Sequence, residues 1–271
     1  MREFFGFGGY AREPEGYMSF EHLLFVSSLM VAMVALAVFL GLRNKNADAR
    51  VKNRVLVVAA FLIDGLELFK IVLLCFRGND PLGWLYDLPL FLCSIQLISI
   101  PLAAFAKGRL KNVALDFVLI FGILGAILGT YAAGNNYSSY PVISFDNVVS
   151  GLTHSISGFS SLYIAISGLA SMKRKNIPFC FAILSFFCVA AYVANITIDY
   201  NYMFLMRGDG TPYDILFNLV GGHAVIYPIA VVLLFFVYIT AFYFVYYYAV
   251  AKKREAVEQV AVKEEVAYSH T

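Results

Sequence analysis

The chain has 271 residues and a net charge of +2; 61% of its residues are hydrophobic and only 14% are charged. A soluble domain is nearer half apolar and a quarter charged, so this composition excludes an ordinary soluble globular protein. The small net charge gives no reason to expect a nucleic-acid partner. The four cysteines lie inside apolar segments, which argues against a secreted disulfide framework.

The apolar residues fall in blocks of about 20, each long enough to cross roughly 30 Å of hydrocarbon as a helix. The pattern predicts seven spans, at 20–42, 55–76, 85–106, 110–133, 145–171, 177–198 and 220–250. We therefore expect an all-α fold, a polytopic transmembrane helix bundle that forms one domain over residues 1–250. Residues 251–271 are charged and are expected to form a cytosolic tail. The mixed-charge, aromatic N-terminus predicts no cleavable signal peptide.

Lys and Arg are concentrated in alternate links between the spans. They cluster in the links 43–54, 107–111 and 172–176 and in the tail, whereas the opposite links contain only Arg77 and Arg207. Because cytosolic loops are enriched in these residues, the bias predicts an N-terminus outside and a C-terminus in the cytosol. The expected location is the cell membrane, as a multi-pass protein in contact with lipid.

The second span contains three ionisable residues in the run FLIDGLELFKIV, namely Asp64, Glu67 and Lys70. Their spacing of three places neighbours on one helical face. A charge at the bilayer centre costs about 2.5–3.5 kcal/mol on insertion scales, so such groups usually face the bundle interior. Two interpretations remain open: a structural ladder of ion pairs, or a polar pocket or proton path.

The third span contains the run LPLFLCSIQ, residues 88–96, which predicts an apolar helix that begins near Pro89 and carries Cys93 about one turn later. The fifth span contains His154, at a similar depth in the outer half of the membrane. A buried cysteine often packs as an inert small hydrophobe, and a buried histidine can simply hydrogen-bond to a neighbouring helix. Alternatively, Cys93 is a nucleophile whose proton His154 accepts, and the thiolate attacks an ester carbonyl.

Further polar residues are predicted at the outer half of the bundle, where they would join the charges of the second span in a substrate-binding or polar pocket. They are Gln96, Asn195, Asp199, Asn201 and Tyr202. Gln96, Ser94 or Asn195 would be suited to stabilise an oxyanion. His22 and His223 are expected to be interfacial. No ligand spacing joins them to Cys75, so neither a metal nor a cofactor is expected.

The LPLFLCS of the third span, the histidine of the fifth and the NITIDYNYMFL run at 195–205 resemble the YwaF-like integral membrane proteins. These are distantly similar to an animal multispan transmembrane family of phospholipid acyltransferases, in which a membrane cysteine carries the acyl group beside a histidine. The resemblance implies that Cys93 and His154 form this pair and that Asn201 and Tyr202 belong to an outer motif. The chain departs from the family pattern at Phe91, where histidine is common, and at His223, where aromatic residues or proline occur.

Two functional hypotheses follow, from different classes of protein. The first is a membrane-embedded acyltransferase or acyl hydrolase that acts on lipid esters through a Cys-His pair. The second is a transporter or sensor in which Asp64, Glu67, Lys70 and His154 form a polar path. A membrane scaffold without chemistry is the third alternative.

Overall fold

The computed structural model describes residues 2–169 and 172–251, and within these ranges the chain is helical and contains no strand. This confirms the all-α class for the described residues. The main helices are α1 (Phe20–Arg43), α2 (Ala49–Gly78), α3 (Gln96–Phe105), α4 (Gly108–Tyr131), α5 (Gly134–Ser139), α6 (Phe145–Ser167), α7 (Ile177–Ile198), α8 (Tyr213–Leu219) and α9 (Ile226–Tyr246). Short 3₁₀ turns lie at Gly83–Asp87, Arg174–Asn176 and Tyr202–Phe204, and a π-helical turn, Tyr247–Ala251, follows α9.

Four helical stretches are long and apolar enough to cross a membrane. They are Phe20–Arg43, Gly108–Ser139, Arg174–Ile198 and Ile226–Ala249. α2 has 30 residues but contains the three charges of the FLIDGLELFKIV run, and α6 has 23 residues but is rich in serine and glycine. The chain is thus an all-helical protein with four candidate membrane spans in its described part, and seven spans stays a prediction.

The helix predicted to begin at residue 85 is shorter than expected, because α3 begins only at Gln96. A proline disfavours helical backbone in the residue before it. Leu88, which precedes Pro89, is accordingly extended, with φ −60° and ψ 147°. The helix prediction is therefore wrong for residues 85–95, and Cys93 lies in a series of turns that leads into α3.

Glycines also end or delay two of the predicted spans. Gly168, with φ 74°, ends α6 at Ser167. Gly221 and Gly222, with φ 64° and 66°, form the turn between α8 and α9, so that the last long helix begins at Ile226 instead of at 220. The predicted end of the fifth span, at 170–171, and most of the predicted tail, 252–271, lie outside the described residues.

α4 lies at the centre of the bundle: most residues of its apolar window are buried, whereas fewer than a third are buried in those of α1, α7 and α9. It packs closely on α6 through small residues. A Cβ atom on Gly122 would lie 2.6 Å from the carbonyl oxygen of Ser157, so only glycine fits there. The hydroxyl of Ser161 donates a hydrogen bond to the carbonyl of Leu119, at 2.7 Å. Small residues and hydroxyls of this kind allow membrane helices to approach closely.

The other helices surround this pair. α1 packs along α6, where Gly41 lies against Ile166 and Gly151 lies against Leu29. α7 and α9 pair through stacked rings of Phe181 and Phe236, with centroids 4.3 Å apart. α2 and α3 lie beside α4 and α6, so that α2, α6 and the turns before α3 border one another.

The N-terminal segment is bound to the ends of α2 and α6 by a group that we name the N-terminal latch: Tyr10, Arg77 and Asp146. The guanidinium of Arg77 donates two hydrogen bonds to Asp146, at 2.7 and 2.8 Å, and a third to the carbonyl of Phe5, at 3.1 Å. The hydroxyl of Tyr10 also donates to Asp146. Burial, together with the hydrogen bond and negative charge of Asp146, raises the pKa of Tyr10 to about 12.

We predict that Arg77→Ala destabilises the protein by about 1–3 kcal/mol, because it leaves Asp146 largely buried without its ion-pair partner. The side chains of Arg77 and Asp146 are 15% and 12% exposed. The control is Arg12→Ala, because the side chain of Arg12 is 51% exposed in its ion pair with Glu15. Loss of such an exposed pair should lower the free energy of unfolding by only about 0–1 kcal/mol. Thermal unfolding in detergent measures both, and equal losses would contradict a structural role for the latch.

We also predict that Tyr10 contributes a pH-dependent part of the stability. The folded-state pKa of about 12 exceeds the unfolded value of about 10, so the contribution is present below pH 10 and is lost as the pH rises through 12. The difference in unfolding temperature between wild type and Tyr10→Phe should therefore shrink between pH 10 and 12. A difference that stays constant across this window would show that Tyr10 does not titrate as proposed.

Candidate functional site

A polar cavity of about 70 Å³ lies between α2, the turns before α3, and α6. Its lining consists of Ile63, Glu67, Lys70, Cys93, Ser94, Leu97, Ser150, Thr153 and His154. A water molecule needs roughly 10–15 Å³ of such volume, so the cavity holds a few waters or one polar group but not a lipid chain.

α6 supplies three polar lining residues from one face, because Ser150, Thr153 and His154 follow the spacing i, i+3, i+4. The helix begins at a defined residue: the hydroxyl of Ser144 caps it by accepting a hydrogen bond from the N–H of Asn147, at 3.3 Å. Asp146 of the latch lies in its first turn. The cap and the latch together hold the register that turns His154 toward the cavity.

α4 brings Cys93 and His154 to adjacent positions although it lines no part of the cavity itself. A Cβ atom on Gly125 would lie 3.3 Å from the Cβ of Cys93, and a Cβ atom on Gly129 would overlap the ring of His154. These two glycines are four residues apart, one turn of helix or about 6 Å. The thiol and the imidazole therefore lie side by side on one glycine face of α4.

No hydrogen bond joins Cys93 to His154 in the described part of the chain, where the imidazole also has no hydrogen-bond partner. Both side chains are half-buried. A buried imidazole is stabilised when its nitrogens find partners. The imidazole therefore faces a cavity in which a polar group could become its hydrogen-bond partner.

An ion network forms the opposite side of the cavity. The ammonium of Lys70 lies 2.6 Å from the carboxylate of Glu67 and 3.0 Å from that of Asp87. Asp87 belongs to the 3₁₀ turn Gly83–Asp87, so the network connects α2 to the segment that carries Cys93. Asp64 does not line the cavity, and one of its carboxylate oxygens is buried without a hydrogen-bond partner among the described residues.

Asn195 and Tyr202 lie behind the cavity and support the turns that carry Cys93. The side chain of Asn195 accepts from the N–H of Tyr202, at 2.6 Å, and donates to its carbonyl, at 3.0 Å. The hydroxyl of Tyr202 donates to the carbonyl of Leu85, at 2.5 Å, and accepts from the N–H of Leu88, at 3.2 Å. The ring of Phe91 lies 5.0 Å from that of Tyr202, so aromatic packing adds to these contacts.

The remaining predicted site residues have local structural partners. Asn201 accepts from the N–H of Met206, at 2.9 Å, and donates to the carbonyl of Arg207, at 2.8 Å. Asp199 is exposed and ends α7 in a left-handed conformation, with φ 52°. The side-chain oxygen of buried Gln96 accepts from the hydroxyl of Ser99, at 2.9 Å.

Of the predicted site residues, Glu67, Lys70, Cys93 and His154 line one cavity, and the others do not. Sequence reasoning missed the contribution of Ser150 and Thr153, although their spacing from His154 indicates a shared face. It also missed the glycine face of α4, which the repeated small residues of GILGAILG, 122–129, indicate. Asp87 had no such signal, because the expected helix included it.

A metal site is not supported among the described residues, where no group of three or more His, Cys, Asp or Glu side chains could hold an ion. All four cysteines are free. His22 is buried against protein in the first turn of α1, and its interfacial position in the membrane stays a prediction. One ring nitrogen of His22 lies 3.2 Å from the carbonyl of Thr130, and the other accepts from the N–H of Met18, at 3.1 Å.

A sequence model of the TMEM164 family matches residues 17–253, which include every helix from α1 to α9 and both walls of the cavity. The chain belongs to the TMEM164 family. No curated protein and no solved structure matches it. Membership of this multispan membrane family agrees with the apolar helices and identifies the chain as a membrane-embedded protein. In this member of the TMEM164 family, the cavity of Cys93 and His154 is the candidate functional site.

We predict that Gly129→Ala lowers stability by about 1–3 kcal/mol, because the added methyl group occupies the space of the His154 ring. Adding His154→Ala to this variant should recover part of the loss by vacating that space. The matched control is Gly65→Ala in α2, where an added Cβ atom meets nothing within 4 Å. This substitution should stabilise the helix by about 0.5–1 kcal/mol. Thermal unfolding of the three variants measures this, and a harmless Gly129→Ala would contradict the contact.

Proposed function

We propose that this protein is a membrane acyltransferase or acyl hydrolase that acts on lipid esters through Cys93 and His154. The observation that carries the proposal is that these two side chains line the same small cavity, side by side on α4. The resemblance of the surrounding sequence to acyltransferases with a membrane cysteine and histidine supports it. His154 has no hydrogen-bond partner in the described chain, and the hydrogen bonds of the Cys93 thiol are to Ser94 and to its own backbone, beside the cavity.

The proposed topology has seven spans, with the N-terminus outside and the C-terminus in the cytosol of the cell membrane. The spans are α1, α2, α3 with the turns before it, α4, α6, α7 and α9. Every basic link then lies on the cytosolic side. His154 lies nine residues, about 14 Å, from the start of α6, so the reacting groups would be at the outer half of the membrane. The ester group of a lipid in that leaflet would enter the cavity sideways, while its acyl chains stay outside the cavity.

The chemistry follows the usual sequence of a thiol nucleophile and an imidazole base. The imidazole of His154 takes the proton of the Cys93 thiol, and the sulfur attacks the ester carbonyl carbon. The tetrahedral intermediate collapses to a thioester as the alcohol oxygen leaves with the proton from the imidazolium. A lysolipid hydroxyl or a water molecule then gives its proton to His154 and attacks the thioester, which releases a new ester or a fatty acid and restores the thiol.

The irregular backbone around Cys93 would supply the oxyanion donors. The N–H groups of Cys93 and Ser94 donate to no backbone carbonyl in the described chain, because regular helix begins only at Gln96. Both N–H groups lie within hydrogen-bonding reach of the Cys93 sulfur, and with an ester bound they would stabilise the negative charge that develops on its carbonyl oxygen. The hydroxyls of Ser94 and Thr153 line the same cavity and would add to them.

A transporter or sensor is the second candidate function, and one observation favours it. The ion network of Glu67, Lys70 and Asp87 borders the same cavity as His154, and acyl transfer does not require so many charges. With Asp64 one turn away on α2, these groups would form a path for protons or a small solute. In this function Cys93 has no chemical role.

The test is labelling of the full-length protein in lipid nanodiscs with an electrophilic ester probe that carries an acyl chain. We predict that Cys93→Ala abolishes labelling and that His154→Ala slows it by about 10²–10⁴-fold, the usual contribution of a general base. Cys75→Ala is the matched control, because Cys75 is another half-buried free cysteine, outside this cavity, and its removal should leave the rate unchanged. Unfolding temperatures of all variants exclude misfolding as the cause.

An unreactive Cys93 in folded protein, or a rate that does not depend on His154, would overturn the enzyme proposal. Proton flux into proteoliposomes then tests the second candidate. There, Glu67→Gln should stop the flux and Cys93→Ala should leave it intact.

A further inference from the structure

A second cavity, of about 380 Å³, lies at the other end of α4 from the first. It is lined by Gly108, Arg109, Asn112, Lys173, Lys175 and Asn176. Gly108 is 17 residues from Gly125, which separates the two cavities by about 26 Å along the helix. A ligand here would therefore not touch the Cys93 cavity.

The charged lining of the second cavity is entirely positive. Arg109, Lys173 and Lys175 contribute three cations, and none of them forms an ion pair with a carboxylate in the described part of the chain. Buried Asp116 is close enough to Lys173 for an electrostatic attraction, although the two form no ion pair. Its oxygens accept from the side chain of Asn176, at 2.7 Å, and from other groups beneath the cavity. The cavity therefore has a positive electrostatic potential, which favours the binding of an anion.

The lining is held in place by contacts that leave its charged groups available. The link 172–176 is anchored from below, because buried Asp116 accepts from the N–H of Met172, at 3.3 Å, and from the hydroxyl of Tyr243, at 3.0 Å. The guanidinium of Arg109 lies 3.7 Å from the ring centroid of Phe179 and donates to the carbonyl of Lys175, at 3.3 Å. A guanidinium fixed in this way keeps further N–H groups for a ligand.

The backbone contributes charge of the same sign. α4 begins at Gly108 and α7 begins next to Asn176, and neither helix start has a side-chain cap. The first N–H groups of α4 therefore lack acceptors within their own helix, whereas at α7 the N–H of Ile177 donates to the carbonyl of Arg174 and Pro178 has no N–H. Both helix dipoles still have their positive ends here. The partial positive charge of these helix ends adds to the charge of the three cationic side chains.

We propose that this second cavity binds a phosphate monoester group, carried by a soluble compound or by a lipid headgroup. A phosphate monoester has close to two negative charges and three acceptor oxygens, which match a guanidinium, two ammonium groups and the uncapped N–H groups of α4. The cavity faces the basic links, where phosphate groups of the adjoining leaflet and of soluble compounds are both within reach. The site is independent of the chemistry at Cys93.

The experiment measures binding to the full-length protein in two arms. In detergent, inorganic phosphate is titrated at constant ionic strength against chloride, with the unfolding temperature as the readout. In nanodiscs, native mass spectrometry counts bound phosphatidic acid against phosphatidylcholine. The test variant is Lys173→Ala/Lys175→Ala, and the control is Lys45→Ala/Arg50→Ala, which removes the same charge from exposed residues of the link 43–54.

We expect the test variant to bind the phosphate group at least about tenfold more weakly than wild type, and the control to bind as wild type does. Binding in the detergent arm alone identifies a soluble ligand, and binding in the nanodisc arm alone identifies a lipid. Asn112→Asp adds a negative charge to the lining without removing a side chain from the core, so it should weaken binding even if the double variant folds poorly. Absence of binding in both arms, or equal losses in test and control variants, would overturn the proposal.

Discussion

The architecture depends on the absence of side chains along one face of α4. Gly122, Gly125 and Gly129 let three different parts of the molecule approach the backbone of this helix: the backbone of α6, the turn of Cys93 and the ring of His154. In lipid there is no hydrophobic force between helices, so association rests on close packing and hydrogen bonds between them. The same glycines thus hold α4 against α6 and set the spacing of the candidate site.

The second determinant is the break in the chain at Pro89. A continuous helix from 85 to 106 would satisfy its own backbone and leave no N–H group free beside Cys93. The extended backbone of Leu88 prevents this, and the freed groups find other partners: the N–H of Leu88 and the carbonyl of Leu85 both bond to the hydroxyl of Tyr202. Irregular backbone at membrane depth is stable where protein covers it, and it is frequent at functional sites.

The sequence predicted well the features that follow from hydrophobic periodicity and amino-acid composition. The helical class, the ends of α1 and α7 near the predicted bounds, and the polar face of α2 follow from runs of apolar residues and from the spacing of Asp64, Glu67 and Lys70. The sequence predicted poorly the role of each polar residue, because that role depends on contacts between segments distant in the chain. Asn195, Asn201 and Tyr202 were expected in the pocket because they are polar, but their side chains bond to loop backbone, in the case of Tyr202 to Leu85 in a distant segment. Only tertiary structure separates a residue that lines a cavity from one that supports its wall.

The N-terminal latch has a consequence for the order in which the protein is assembled. Phe5 and Tyr10 are synthesised long before Arg77 and Asp146, yet they find their partners only when both of those residues are in place. The ribosome must therefore synthesise the chain through Asp146 before the segment of Phe5 and Tyr10 can dock. During that interval the ends of α2 and α6 lack this connection, so docking of the N-terminal latch is a late step in folding. A bulky group fused close to Tyr10 would interfere with that step.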